Sequence, residues 1–184
     1  MIVKSEMEEL KARARKELDN ARAFNVPIEI GKVAKANGFV VIKDRLTDCA
    51  GYLLVDHNDP VEIDEQKHAK VIAVKESDIY ERQRFTVAHE LAHYFLEGSQ
   101  NAKIFAHREQ LGGARTQEEY EKEMRANALA AQLLIPYDLL DCFVKESNLR
   151  AKHPIDAIYN VARKFVVSMQ CAEVRYLDYM GKGI

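Results

Sequence analysis

Several large classes of protein are excluded by what this sequence has little of. It holds three cysteines, Cys49, Cys142 and Cys171, and no two stand at the spacing of a metal knuckle or a redox pair. An odd, scattered set argues against a disulfide framework and fits reduced thiols in a cytoplasmic protein. No stretch approaches the ~18 apolar residues that a membrane span needs. The opening segment MIVKSEMEELKARARKELDNARAF is charged throughout and lacks the apolar centre of a signal peptide. A dominant charge sign is missing too. Lys and Arg number 27 against 29 Asp and Glu, for a formal charge of -2, so the chain as a whole is not built to hold a polyanion. It has no internal repeat and no low-complexity tract.

What is present is a chain of 184 residues, 47% hydrophobic and 30% charged. That balance supports a packed core and the size of one ordinary domain with a small appendage. Residues 1–146 read as the main domain and 147–184 as a C-terminal helical segment packed on it. Val3, Met7, Leu10, Ala14, Leu18 and Ala21 recur at helical spacing. They predict a long first helix laid on the core, with a coiled-coil partner as the other reading of so narrow a stripe. Pro27 and Gly38 bracket a shorter helix. FVVIK, AGYLLV and KVIAVK are short β-branched or aromatic runs, and VEID is a further edge piece. Strands with no helix between them predict a small antiparallel sheet, hence an α+β fold.

Helices dominate after residue 78. Asp78 and Glu81 have the spacing of a capping box, and Gly98 stands at the helix end. A long loop follows, containing His107, Gly112 and Gly113. A second patterned helix runs from about Gln117 to Leu134 and stops before Pro136. Further helices are expected near 137–146, from about Ile155 to Phe165, and after Ser168.

The chemistry concentrates in FTVAHELAHYFLEGS, residues 85–99. Positions four apart on a helix project about 40° apart, so His89 and His93 present two imidazoles to one ion. Glu90 is rotated by about 100° from His89, which suits a base acting on water rather than a ligand. A hydrolytic zinc site takes a third protein ligand. In EEYEKEMRANALAAQLLIP, residues 118–136, Glu123, Asn127, Ala130 or Ala131, and Leu134 share one stripe. A carboxylate on a buried stripe needs a reason, and a metal is one, so Glu123 is the candidate third ligand. Glu119, one turn earlier, is the second candidate. Asn127, one turn later, is positioned to accept the other N–H of His89 or His93 and so orient the ring.

RFTVAHELAHYFL (84–96) together with EKEMRANALAAQLLIP (121–136) resembles the ImmA/IrrE family of metallopeptidases. The upstream runs AGYLL and KVIAVK and the downstream VARKFVVSMQCAEVRYLDYMG (161–181) are similar as well. The resemblance implies a minimal zincin-like α+β peptidase. It implies His89, His93 and Glu123 as metal ligands and Glu90 as catalytic base. It also implies zinc as cofactor, with manganese and iron as other occupants of a His₂Glu site. The implied partner is a protein substrate, a helix-turn-helix repressor whose cleavage relieves repression. Ala92 and Gln132 depart from residues frequent at those positions, glycine and glutamate. An oxyanion donor is not identified by pattern, and His107, Tyr94 and Tyr120 are candidates by position. A substrate bound as an added strand would use AGYLLV or VEID as its edge.

A second class of reading rests on residues 155–181, two helices joined at Ser168 in the shape of a helix-turn-helix. A non-enzymatic DNA-binding or protein-contact regulator is the alternative. Charge weighs against DNA: residues 150–184 hold six Lys and Arg against three Asp and Glu, and MQCAEVRYLDYM has one arginine. Ile158, Val161, Phe165, Val167, Val174 and Leu177 read instead as packing residues.

Overall fold

The structure is a computed structural model that describes residue 2, residues 4–98, the backbone at 105–106, and residues 116–181. Its elements in chain order are α1 (Lys4–Asn20), α2 (Ile30–Ala36), β1 (Val40–Asp44), β2 (Gly51–Val55), β3 (Val61–Ile63), β4 (Gln66–His68), β5 (Lys70–Lys75), α3 (Tyr80–Glu97), β6 (Phe105–Ala106), α4 (Gln117–Leu134), α5 (Tyr137–Glu146), α6 (Pro154–Phe165) and α7 (Met169–Tyr179), with a 3₁₀ turn at Leu149–Ala151 between α5 and α6. The fold is α+β, as the sequence predicts. None of the helices in the described residues is long and apolar enough to cross a membrane.

The main sheet has the order β1-β5-β2-β6. It is mixed rather than purely antiparallel. β5 runs parallel to β1, Val40 facing Val71, and antiparallel to β2, Leu53 facing Ile72. The reason is topological. The chain leaves β2, makes the β3–β4 hairpin, and returns as β5 between β1 and β2. Turn residues mark where strands end, not which neighbours they take. VEID is not an edge of this sheet: β3 pairs with β4 in a separate two-stranded ribbon.

Burial explains the strand compositions. β5 is central, and Val71, Ile72, Ala73 and Val74 are all buried, as a strand covered on both faces requires. In β2 burial alternates, with Gly51, Leu53 and Val55 inward. Gly51 has no room for a side chain. A Cβ there would collide with Thr86 Cγ2 of α3 and come within 2.6 Å of the Ala73 carbonyl oxygen. The absent side chain is what lets α3 lie close against the sheet.

Helix α3 buries Val87, Ala88, Leu91, Ala92 and Phe95, and α4 packs beside it with Ala126, Leu129, Ala130, Leu133 and Leu134. Helix α1 covers α4 through Leu10, Ala14 and Leu18, so the first helix is laid on the core. The C-terminal helices are tied to both central helices. The Arg84 guanidinium of α3 donates to the carbonyls of Phe165 and Val166 at the end of α6. Arg175 of α7, 3% exposed, donates to the Ile135 carbonyl and to Gln132 Oε1 of α4. Ser168 caps α7, accepting the Cys171 N–H. Of the apolar positions expected to pack here, Val174 is exposed, because it projects about 200° around α7 from the buried Ala172 and Tyr176.

Candidate metal centre

Helix α3 begins differently from its sequence signal. Its N-cap is Ile79, and no side chain caps it. Asp78 pairs with Arg82 instead of closing a box with Glu81. Gln83 stitches the turn, its amide donating to the carbonyls of Lys75, Glu76 and Asp78. The helix ends before Gly98, whose φ of 80° is costly for a residue with a Cβ. The capping box lies on α4. Thr116 Oγ1 accepts the Glu119 N–H at 3.2 Å, and Glu119 Oε2 accepts the Thr116 N–H at 2.8 Å. Glu119 is thereby engaged at the helix start. Glu123, one turn on, faces α3.

The structure brings His89, His93 and Glu123 together, one ligand atom from each lying within 4.8 Å of the others. The two Nε2 atoms are 3.1 Å apart. Glu123 Oε2 is 3.5 Å from His89 Nε2, and its Oε1 is 3.5 Å from His93 Nε2. Ligands at ~2.0–2.1 Å in a tetrahedron stand about 3.3 Å from one another. The three observed separations bracket that edge, so this donor set fits a four-coordinate divalent ion with one position open. Side-chain exposure rises from His93 (3%) through His89 (12%) to Glu123 (21%), so the cluster opens to solvent on the Glu123 side.

Glu90 is 1% exposed. Its charge reaches the half-buried Cys49 thiol, which is pushed above its ordinary value first by burial and then by Glu90. The thiol also takes the Gly51 N–H. The loop entering β2 therefore lies against the Glu90 side of α3. Strand β6 pairs antiparallel with β2 at Tyr52 and Leu53, so at those residues the edge of AGYLLV expected to take a substrate strand is covered by the chain itself.

Other expected residues fall elsewhere. Asn127 is exposed, and no hydrogen bond joins it to either imidazole among the described residues. The buried stripe of α4 passes through Ala126, Leu129, Ala130 and Leu133, and Glu123 sits on its shoulder. His93 Nδ1 is met instead by Glu97 Oε1 at 3.2 Å, a contact that the motif alone did not single out. The signal was available, since 89, 93 and 97 share one helix face. Tyr94 is committed to Lys70, which donates to its hydroxyl at 2.8 Å, and to the edge of Phe39. Tyr120 is exposed. His107 lies outside the described residues.

A family model described as the IrrE N-terminal-like domain, a peptidase model, matches residues 34–177. The chain belongs to the ImmA/IrrE metallopeptidase family. The match runs from α2 through α7 and takes in α3 and α4, which carry His89, His93 and Glu123. No curated protein matches the chain. Membership makes peptide-bond hydrolysis the kind of function to expect of the cluster, and a protein the kind of substrate. It also agrees with a His₂Glu donor set.

Proposed function

We propose that this ImmA/IrrE chain is a zinc-dependent endopeptidase of the cytoplasm that cuts a helix-turn-helix repressor protein, with His89, His93 and Glu123 as metal ligands and Glu90 as general base. The observation that carries the reading is the three-donor cluster on adjacent helices of a peptidase-family fold. Manganese and iron suit the same donors, and zinc is preferred because three protein ligands and an open position are the usual form of hydrolytic zinc.

When bound, the ion supplies a Lewis acid and lowers the pKa of water toward ~7. The protein's own residues do the rest. His93, almost fully buried, and His89 fix two donors on one rigid helix face. Glu123 brings the third from α4, and the negative charge offsets part of the ion's. Glu90, a quarter turn from His89, takes the proton from attacking water and returns it to the leaving nitrogen. The α7 helix is a poor DNA reader, because its one arginine is buried on Gln132 and Ile135 while Met169, Gln170, Glu173 and Val174 face solvent.

The test uses purified helix-turn-helix repressors from the host, incubated with zinc-loaded wild type or Glu90→Gln. A repressor cut by wild type, spared by Glu90→Gln, and spared after chelation supports the reading. Equal cleavage by both proteins, or cleavage that survives chelation, refutes it. Repressor binding by both proteins with no cleavage would favour the protein-contact alternative.

A further inference from the structure

We infer that Glu97 is a positioning residue for the metal site, fixing the His93 ring so that its Nε2 faces His89 and Glu123. The inference rests on the reading of His89, His93 and Glu123 as ligands. Glu97 is not itself a ligand candidate. Its Oε1 meets Nδ1 of His93, while Nε2, on the opposite side of the ring, faces the other two donors. A carboxylate at Nδ1 requires the proton there, because it can only accept. The neutral ring then carries its lone pair on Nε2, where an ion would need it. A buried imidazole without such a partner could adopt either tautomer or turn over. With it, the donor is set before any ion arrives.

Local helix chemistry disfavours Glu97 where it stands. It is the last residue of α3, where the helix dipole disfavours a negative charge. The last turn of α3 holds no basic residue to offset it. The nearby charge comes from another element: Lys122 of α4, whose ammonium is stabilised chiefly by Glu118 and also feels Glu97. Glu97 is about a quarter exposed, and His93 is nearly sealed. A residue that breaks a local rule against a buried ligand is expected where function sets the choice. The i,i+4 spacing makes the arrangement self-contained on one helix: His89 and His93 donate to the site, and Glu97 braces the second from behind.

The experiment measures Zn²⁺ affinity by competition with a chromophoric chelator for wild type, Glu97→Gln and Glu97→Ala, with thermal midpoints of the metal-free proteins. Loss of an outer carboxylate of this type weakens metal affinity by about 10–100-fold. Glu97→Ala should fall in that range, with an unchanged metal-free midpoint. Glu97→Gln, whose amide oxygen still accepts the N–H, should recover most of the loss. Proton–nitrogen correlation spectra of the metal-free protein should place the His93 proton on Nδ1 in wild type and not in Glu97→Ala. Wild-type binding of one zinc with equal affinity in Glu97→Ala would overturn the role of Glu97 while leaving the site intact. A His93 proton on Nε2 in wild type would also overturn it. Failure of wild type to bind zinc at all would overturn the ligand reading and this inference with it.

Discussion

Substituting Gly51 by alanine tests how the sheet positions α3, the helix that carries His89 and His93. The added methyl would meet Thr86 Cγ2 and lie 2.6 Å from the Ala73 carbonyl oxygen, where ordinary contacts begin near 3.4 Å. One obstacle is a side chain that can adjust; the other is the backbone of the central strand β5, which is buried on both faces and cannot. Overpacking of this kind costs about 1–3 kcal/mol, and the backbone contact puts Gly51→Ala at the upper end, about 3 kcal/mol. For a chain of this size that corresponds to a fall of about 6–12 °C in Tm. The displaced element is α3 at Thr86, one turn before His89, so zinc affinity should fall with stability. Thr86→Ser removes Cγ2 yet keeps the hydroxyl that donates to the Arg82 carbonyl. Urea denaturation of the two single variants and the double variant gives the coupling directly. The expected coupling is about 1 kcal/mol, with part of the Gly51→Ala loss recovered. A Gly51→Ala protein within about 0.5 kcal/mol of wild type, or a cycle with no coupling, would refute the packing argument.

Three further outcomes follow from other parts of the fold. Thr116→Ala opens the capping box of α4 and should cost about 1 kcal/mol in urea melts, with a parallel loss of metal affinity because Glu123 lies two turns on. Arg175→Met leaves the Ile135 carbonyl and buried Gln132 Oε1 without their donor and should cost about 3 kcal/mol by the same assay. Burial raises the Cys171 thiol from 9.0 to about 11. The unfolded chain therefore loses its thiol proton first, and stability falls as pH rises from about 9 to 11. Cys171→Ala should remove about 2–3 kcal/mol of that alkaline loss, read as the difference between the two pH profiles. Coincident profiles would contradict the burial of the thiol.

The legible parts of the sequence were those whose signal is local. Helical spacing put His89 and His93 on one face, and the α4, α5 and α7 boundaries follow from Pro136 and Ser168. Strand direction was not legible, because β1 and β5 pair across a detour through β2 and the β3–β4 ribbon. The cap signal at Asp78 misleads for a physical reason. Asp78-x-x-Glu81 and Thr116-x-x-Glu119 have the same spacing, but Arg82 captures Asp78, whereas the Thr116 hydroxyl accepts the Glu119 N–H. Glu119, the second ligand candidate because it stands one turn before Glu123, is engaged at the helix start. The buried face of α4 runs through Ala126, Leu129, Ala130 and Leu133, about one position from the stripe that the sequence pattern predicts. Asn127 faces solvent as a result, and Glu123 stands at the margin of the buried face rather than within it. Glu97 was legible by spacing, four residues beyond His93 on the same helix face, but lies outside the five residues of the HExxH pattern.

The measurement that bears most directly on the central claim compares new protein N-termini in host cells expressing wild type or Glu90→Gln at equal levels. Glu90→Gln keeps the three donors and removes the carboxylate proposed as base. The account predicts a small set of termini present with wild type and absent with Glu90→Gln, falling within one helix-turn-helix protein. The same termini in both strains would contradict Glu90 as the base. Identical profiles with no new terminus, from a protein shown to carry one zinc, would contradict peptide cleavage as its function.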